Sequence, residues 1–300
     1  MELRQVDGSC GAVLRCGYTP PDPARRTLMI ALPFGVPLSV AEAAFARFGG
    51  AFNVVTWESR LVLNLEQSFN GDEPMGPEQH AADMVRILED LGVERCLLIG
   101  YCSGAGISLF AARRYPEVFE ELILVNGEYQ LFRKPGHTST DYQRSIDTFL
   151  PVVATSRQQA AFIFSKMAEI SKVSKQGKET ELDRQINLPF SQEETLYRYA
   201  ANYMAYRDFD ALEVAAGLRQ ATFVLSGGKD AHSSVENSQA VERSIAGARW
   251  FVDDQGDHYE FCRPGSVILD EIDRYLAGKA SSDAAWESDR NSMSRRFQHE

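Results

Sequence analysis

The chain has 300 residues, 44% hydrophobic and 24% charged, with a formal net charge of -11. That composition is globular and long enough to bury a sizeable core. The acidity argues against nucleic acid and against anionic membrane surfaces as partners, because both require basic patches.

In chain order, "LRQVDG" and "GAVLRCGY" read as two short strands joined by a Gly-Ser turn. "TLMIALPFG" is a nearly unbroken apolar run, as expected of a strand buried on both faces. "SVAEAAFARFG" is helix-like, "FNVVTWESR" is the next strand, and "GPEQHAADMVRILEDLGV" carries the 3.6-residue period with Gly92 as its stop. "RCLLIGY" is again a strand, "SGAGISLFAARRYPEVF" a helix broken by Pro116, and "EELILVNGE" a strand.

From about residue 130 to 218 the rhythm changes. "SIDTFLPVVATSRQQAAFIFSKMAEISKV" and "SQEETLYRYAANYMAYRDFDAL" are helical and rich in aromatics, separated by the polar "SKQGKETELDRQ". Strands return with "ATFVLSGG" and "ARWFVDD", with the helix-like "SSVENSQAVERSIAG" between them and "SVILDEIDRYLAGK" as a last amphipathic helix. This alternation predicts an α/β fold with a mostly parallel sheet, made of residues 1–129 and 219–279. Residues 130–218 are expected to form a helical lid over the carboxyl edge of that sheet, where open α/β sheets bind ligands. Residues 280–300 read as a flexible polar tail.

The five cysteines are Cys10, Cys16, Cys96, Cys102 and Cys262, with no CxxC spacing. This argues against a disulfide framework and against a zinc site. No run of about 18 apolar residues suggests a membrane span, and the first residues lack the pattern of a secretion signal. The expectation is a cytoplasmic protein. With no phosphate loop and no GxGxxG, neither cofactor nor metal is expected.

The chemistry concentrates in "IGYCSGAG", where an apolar strand becomes a helix. A side chain at the tip of so tight a turn needs very small residues two before and two after it, because backbone passes close by. Centred on Cys102 the flanks are Gly100 and Gly104; centred on Ser103 they are Tyr101 and Ala105. Tyr101 does not fit such a place, so the steric argument selects Cys102 over Ser103. An inert buried cysteine is the competing reading.

Gly100-Tyr101-Cys102-Ser103-Gly104 resembles the nucleophile elbow of the α/β-hydrolase superfamily, with cysteine in place of the usual serine. The resemblance spans roughly residues 20 to 278. Within the superfamily, cysteine here is similar to dienelactone hydrolases, polyhydroxyalkanoate synthases and thioesterase-like enzymes of natural-product pathways. The resemblance implies the order nucleophile, acid, histidine. Among the histidines, His80 precedes the elbow on the polar face of a helix and reads as solvated. His137 opens the lid, His232 follows Asp230 closely, and His299 lies in the tail. His258, in "DDQGDHYEF" after the last strand, holds the family's histidine position. Asp230, in "VLSGGKDAHSS", holds its acid position, with Glu128 after "LILVNG" as the main rival. Asp253, Asp254 and Asp257 are too near His258 in sequence to reach behind its ring.

The roles implied are Cys102 as nucleophile at a helix N-terminus, whose partial positive charge favours an anion. His258 takes the proton and Asp230 fixes the ring's tautomer. The oxyanion donors implied are the N–H of Ser103 and one from "LPFGV", Gly35 first and Phe34 next. Trp57 and Arg60, near the end of a strand at the same edge, are candidates to reach substrate, Arg60 as a partner for a carboxylate or phosphate. Tyr203 and Tyr206 are candidates to line an aromatic cavity. A sulfur nucleophile exchanges one thioester for another at little cost, which favours a thioesterase or acyltransferase on a bulky acyl group. The donor would be a small molecule or be carried by an acyl carrier protein. An ester or lactone hydrolase similar to dienelactone hydrolase is the alternative, and a non-catalytic ligand-binding relative the third reading. The sequence leaves a homodimer open.

Overall fold

Eight strands form one sheet in the computed structural model of the protein, in which residues 1–174 and 179–278 are described. The strands are β1 (Glu2–Asp7), β2 (Val13–Tyr18), β3 (Thr27–Ala31), β4 (Asn53–Trp57), β5 (Cys96–Tyr101), β6 (Phe119–Val125), β7 (Ala221–Gly227) and β8 (Arg249–Asp253). Their order is β1-β2-β4-β3-β5-β6-β7-β8. β1, β2 and β4 pair antiparallel; from β4 to β8 every pairing is parallel. β3 and β5 are buried at every position, which is why they read as unbroken apolar runs rather than alternating ones.

Helices cover both faces. On one side lie α2 (Pro77–Asp90), α3 (Ser103–Arg114), α8 (Ala211–Ala216) and α9 (Val235–Ser244), packed in one apolar cluster with Met29, Leu98 and Leu122 of the sheet. On the other lie α1 (Glu42–Phe48) and α10 (Val267–Leu276), packed with Ile30, Ile99 and Ile123. Each such side chain removed from water contributes about 1.5–3 kcal/mol. α3 ends at Arg114, because the residue before Pro116 is driven out of helical backbone.

Between β6 and β7 the chain inserts α4 (Asp141–Val153), α5 (Arg157–Ser174), α6 (Glu181–Ile186) and α7 (Glu193–Tyr206), followed by α8. Their apolar side chains form a third cluster, closed from below by Leu61, Val62, Phe69 and Met75. The single long helix read from 145 to 173 divides into α4 and α5 near Ala154. The polar stretch between the two helical blocks holds α6, started by a capping box in which Thr180 and Asp183 satisfy one another's backbone N–H groups. Residues 280–300, read as a tail, lie outside the described residues. All five cysteines are unpaired. Among the described residues no helix is long and apolar enough to cross a membrane.

Candidate active site

The turn after β5 sets the site. Cys102 has φ 53° and ψ -123°, a backbone conformation that L-residues avoid at a cost of about 1–3 kcal/mol. Hydrogen bonds hold it there. Its N–H donates to Val125 O (3.0 Å), and its C=O accepts from the N–H groups of Ala105 and Glu128 (both 3.0 Å). The flanking glycines are required by contact. A Cβ on Gly104 would stand 2.1 Å from Ala31 O, and one on Gly100 would stand 2.5 Å from Ser108 Oγ and 2.6 Å from Ala105 Cα. The third glycine has a partner far away in sequence. A Cβ on Gly106 would stand 1.7 Å from the hydroxyl of Tyr206, so this helix position is open for a side chain of α7.

Two loops bring the acid and the histidine to Cys102. Gly227 and Gly228 let the loop after β7 pass against the loop after β8; a Cβ on Gly227 would stand 2.6 Å from the carbonyls of Gly256 and Asp257. In consequence Asp230 Oδ2 lies 2.8 Å from His258 Nδ1, with both side chains buried. The other Asp230 oxygen accepts from the N–H groups of His232 (2.7 Å) and Ser233 (2.8 Å), which fixes the carboxylate's orientation. The Cys102 side chain is electrostatically coupled to the same ring. Burial opposes the imidazolium, yet the Asp230 carboxylate and Cys102 outweigh it and hold the ring's pKa well above the usual histidine range.

Two residues that the sequence reading missed hold this histidine loop. Tyr101 Oη donates to His258 O (2.9 Å), and Asn126 Nδ2 donates to the same carbonyl (2.9 Å) and to Asp257 O (3.1 Å). Asn126 Oδ1 accepts from Gly227 N–H (2.8 Å), so one buried amide ties the ends of β6, β7 and the loop after β8. Its φ of 46°, tolerated well by asparagine, is the only trace in the sequence, in "LVNG".

The Ser103 hydroxyl is engaged by the backbone after β3: Ser103 Oγ accepts from Phe34 N–H (3.1 Å). Its own N–H is at the start of α3, where no helical carbonyl is available to it. Phe34, not Gly35, faces the cavity. Gly35 N–H is committed to Ser59 Oγ (2.7 Å), and its φ of 70° turns the chain away beside Val62 and Pro189. Both candidate donor N–H groups are thus engaged by serine hydroxyls, Phe34 by Ser103 and Gly35 by Ser59, and of the two residues Phe34 lines the cavity.

The cavity above Cys102 has about 830 Å³ of atom-free space, part of it open to solvent. Tyr203 and Tyr206 both line it, as do Tyr142, Tyr199 and Phe190 from the inserted helices. Tyr203 donates its hydroxyl to Asp147 (2.7 Å) and Tyr206 to Glu128 O (2.6 Å).

Trp57 and Arg60 do not reach it. Trp57 is packed in the core beneath the sheet. Arg60 is 2% exposed and spends its guanidinium on Asp83 (2.8 and 3.0 Å), Pro74 O (2.7 Å) and Ser9 Oγ (2.9 Å), leaving nothing for a substrate anion. His80 is likewise no solvated surface group. It is buried, stacked on Phe34 with ring centroids 5.2 Å apart, and hydrogen-bonded to Asn202, and burial lowers its pKa to about 4.

His232 and Glu128 were placed elsewhere or held as a rival by the sequence reading, and both line the cavity. The His232 ring stacks on that of His258 at 4.7 Å and shares a hydrogen bond with Tyr259 Oη (3.0 Å); burial and the neighbouring imidazolium lower its pKa to about 4. Glu128 does not contact His258 in place of Asp230. Its carboxyl accepts from Gln130 N–H (2.8 Å) and from Gln143 Nε2, and burial raises its pKa to about 7. Asp230, His232 and His258 place one ligand atom each within 4.8 Å of the others. Asp230 is bonded to His258 and to two backbone N–H groups, and His232 to Tyr259.

A family profile described as alpha/beta hydrolase fold matches residues 62–261. No curated protein matches the chain by sequence. Among solved structures, the chain is similar to a thermophilic esterase from Thermogutta terrifontis (18% identity, TM-score 0.68, 94% of this chain and 100% of that one). It is also similar to a hydrolase from Pseudomonas aeruginosa (19% identity, TM-score 0.63, 92% and 95%). A third is an enol-lactonase from Burkholderia xenovorans (18% identity, TM-score 0.60, 92% and 96%). At these identities the structural likeness speaks for the fold. With the profile spanning two thirds of the sequence, the chain belongs to the alpha/beta hydrolase fold family, as an enzyme of the hydrolase type.

Proposed function

We propose that the chain forms a covalent acyl-enzyme on Cys102 and passes the acyl group to an acceptor. The observation that supports this reading is the His258 ring, hydrogen-bonded to Asp230 at 2.8 Å and electrostatically coupled to Cys102, which stands at a strained apex and lines an aromatic cavity. In the forward step the sulfur attacks the acyl carbonyl carbon. A C–S bond forms, the bond to the leaving group breaks, and His258 gives its proton to that group. The oxyanion is met by Ser103 N–H and, once released from Ser103 Oγ, by Phe34 N–H. In the return step the acceptor gives its proton to His258 and takes the acyl group from sulfur. Asp230 keeps Nδ1 protonated, so that Nε2 is the nitrogen turned toward sulfur.

The donor class favoured is a thioester of a bulky acyl group, small or carrier-bound, because transfer from thioester to thiol conserves the acyl group's reactivity. The inserted helices serve as the lid over this group, and their tyrosine rings supply its apolar walls. The likeness to an esterase and an enol-lactonase favours a second reading, hydrolysis of an ester or lactone by the same residues. Intact-mass measurement after mixing with a panel of acyl thioesters, aryl esters and lactones tests both. Wild-type protein is expected to gain one acyl mass, and His258→Ala to lose at least about 10²-fold in the rate of that gain. A full-rate adduct in His258→Ala would remove the histidine from the mechanism. Which donors label the protein decides between thioester and lactone.

A further inference from the structure

The cavity walls are apolar in a particular way. Three of its tyrosines spend their hydroxyls on protein groups: Tyr203 on Asp147, Tyr206 on Glu128 O, and Tyr259 on His232. These three present rings rather than free donors to whatever enters. Against this, the side-chain oxygens of two lining residues are buried with no partner among the described residues, Gln130 Oε1 and Ser233 Oγ. Gln130 is 3% exposed and Ser233 2%. They stand just past the ends of the neighbouring strands β6 and β7, on the loops that carry Glu128 and Asp230. Leaving a buried polar atom unmet carries a desolvation penalty, and native proteins rarely leave one without a ligand, water or functional reason.

The backbone around both is fixed. Gln130 sits at φ 58° with its N–H on Glu128 Oε1, and Ser233 N–H is held by Asp230. Gln143, whose Oε1 is taken by Thr140 N–H, can offer Glu128 only its amide donor. The loops thus hold these polar groups in place before any ligand arrives.

We infer that Gln130 and Ser233, beside Glu128, form a polar subsite inside the aromatic cavity, and that the acyl group taken there carries a hydroxyl along its chain. A hydroxyl can donate to the Gln130 amide oxygen and accept from the Ser233 hydroxyl; a plain methylene chain can do neither. The inference rests on the acyl-enzyme reading for the word acyl, but the subsite can be tested without it.

Binding is measured by calorimetry on Cys102→Ala protein, with decanoic acid and a positional series of its monohydroxylated derivatives. At least one hydroxylated acid is expected to bind about tenfold or more tighter than the parent. Adding Gln130→Met or Ser233→Ala is expected to bring that ratio close to one while leaving the parent's affinity unchanged. Two variants are used because Gln130 occupies a left-handed conformation and its replacement can unfold the loop; circular dichroism reports that. A parent acid that binds as well as every hydroxylated one overturns the subsite, as does a preference that survives both substitutions. The same series as N-acetylcysteamine thioesters, on protein with Cys102 intact, separates the two ideas. A hydroxyl preference in binding with no adduct on the protein would overturn the acyl-enzyme and keep the subsite.

Discussion

Two buried ion pairs lie near the carboxyl edge of the sheet, and they do opposite things. Arg60 and Asp83, beyond the end of β4, meet at 2.8 Å with side chains 1% and 0% exposed. His258 and Asp230, beyond β8 and β7, meet at 2.8 Å with side chains 7% and 1% exposed. The difference is saturation. Arg60 is bonded to Asp83, to Pro74 O and to Ser9, so the cation is consumed in tying the β1–β2 turn to α2. His258 gives one nitrogen to Asp230 and keeps the other side of its ring for Cys102 at the cavity wall. A charged side chain at a strand end is therefore not a site residue by position alone; what counts is whether its partners leave an atom free.

Breaking each pair sharpens the contrast. Arg60→Met strands the Asp83 carboxylate in the core and is expected to cost about 3–5 kcal/mol of stability, read by urea denaturation, while the folded fraction keeps its specific activity. Stability within about 1 kcal/mol of wild type would contradict the structural role. Asp230→Asn is expected to do the reverse: about 10²- to 10⁴-fold lower kcat by steady-state assay, with the melting temperature little changed. Normal turnover in that variant would transfer the acid's role to another group.

Glu128 extends the comparison to a buried carboxyl that accepts from Gln130 and Gln143 and is in no ion pair. Its pKa is raised by burial to about 7, so the folded chain holds a proton that the unfolded chain releases near the ordinary value of 4.5. Such a group contributes stability below pH 4.5 that is lost as pH rises toward 7. Glu128→Gln removes that loss. Relative to wild type, the variant is expected to gain stability as pH goes from 4.5 to 7, by on the order of 3 kcal/mol at pH 8. A difference between the two that does not change over this range, in parallel denaturation curves, would contradict the raised pKa.

The sheet was legible because its signals are local. Apolar runs such as "TLMIALPFG" and "RCLLIGY" state burial on both faces without reference to anything distant. The turn at Cys102 was legible for a steric reason, since Gly100 and Gly104 have no alternative beside Ser108 and Ala31. What escaped the sequence depends on pairing across the fold. Arg60 finds Asp83 and Ser9, His80 finds Phe34 and Asn202, and Asn126 spans three strand ends. None of these partners is near its residue in sequence or follows from periodicity. α6 sat within a polar stretch, and its capping box at Thr180 and Asp183 was the one local cue to it.

The choice between sulfur and oxygen at the turn underlies the whole account of the chemistry. Its most direct test is to quench the protein during reaction with an acyl thioester, digest it, and sequence the labelled peptide "CLLIGYCSGAGISLF" by tandem mass spectrometry. The account predicts the acyl mass on Cys102, with Ser103 unmodified because its hydroxyl faces Phe34 N–H. An acyl group on Ser103, or turnover at the wild-type rate in Cys102→Ala, would contradict it.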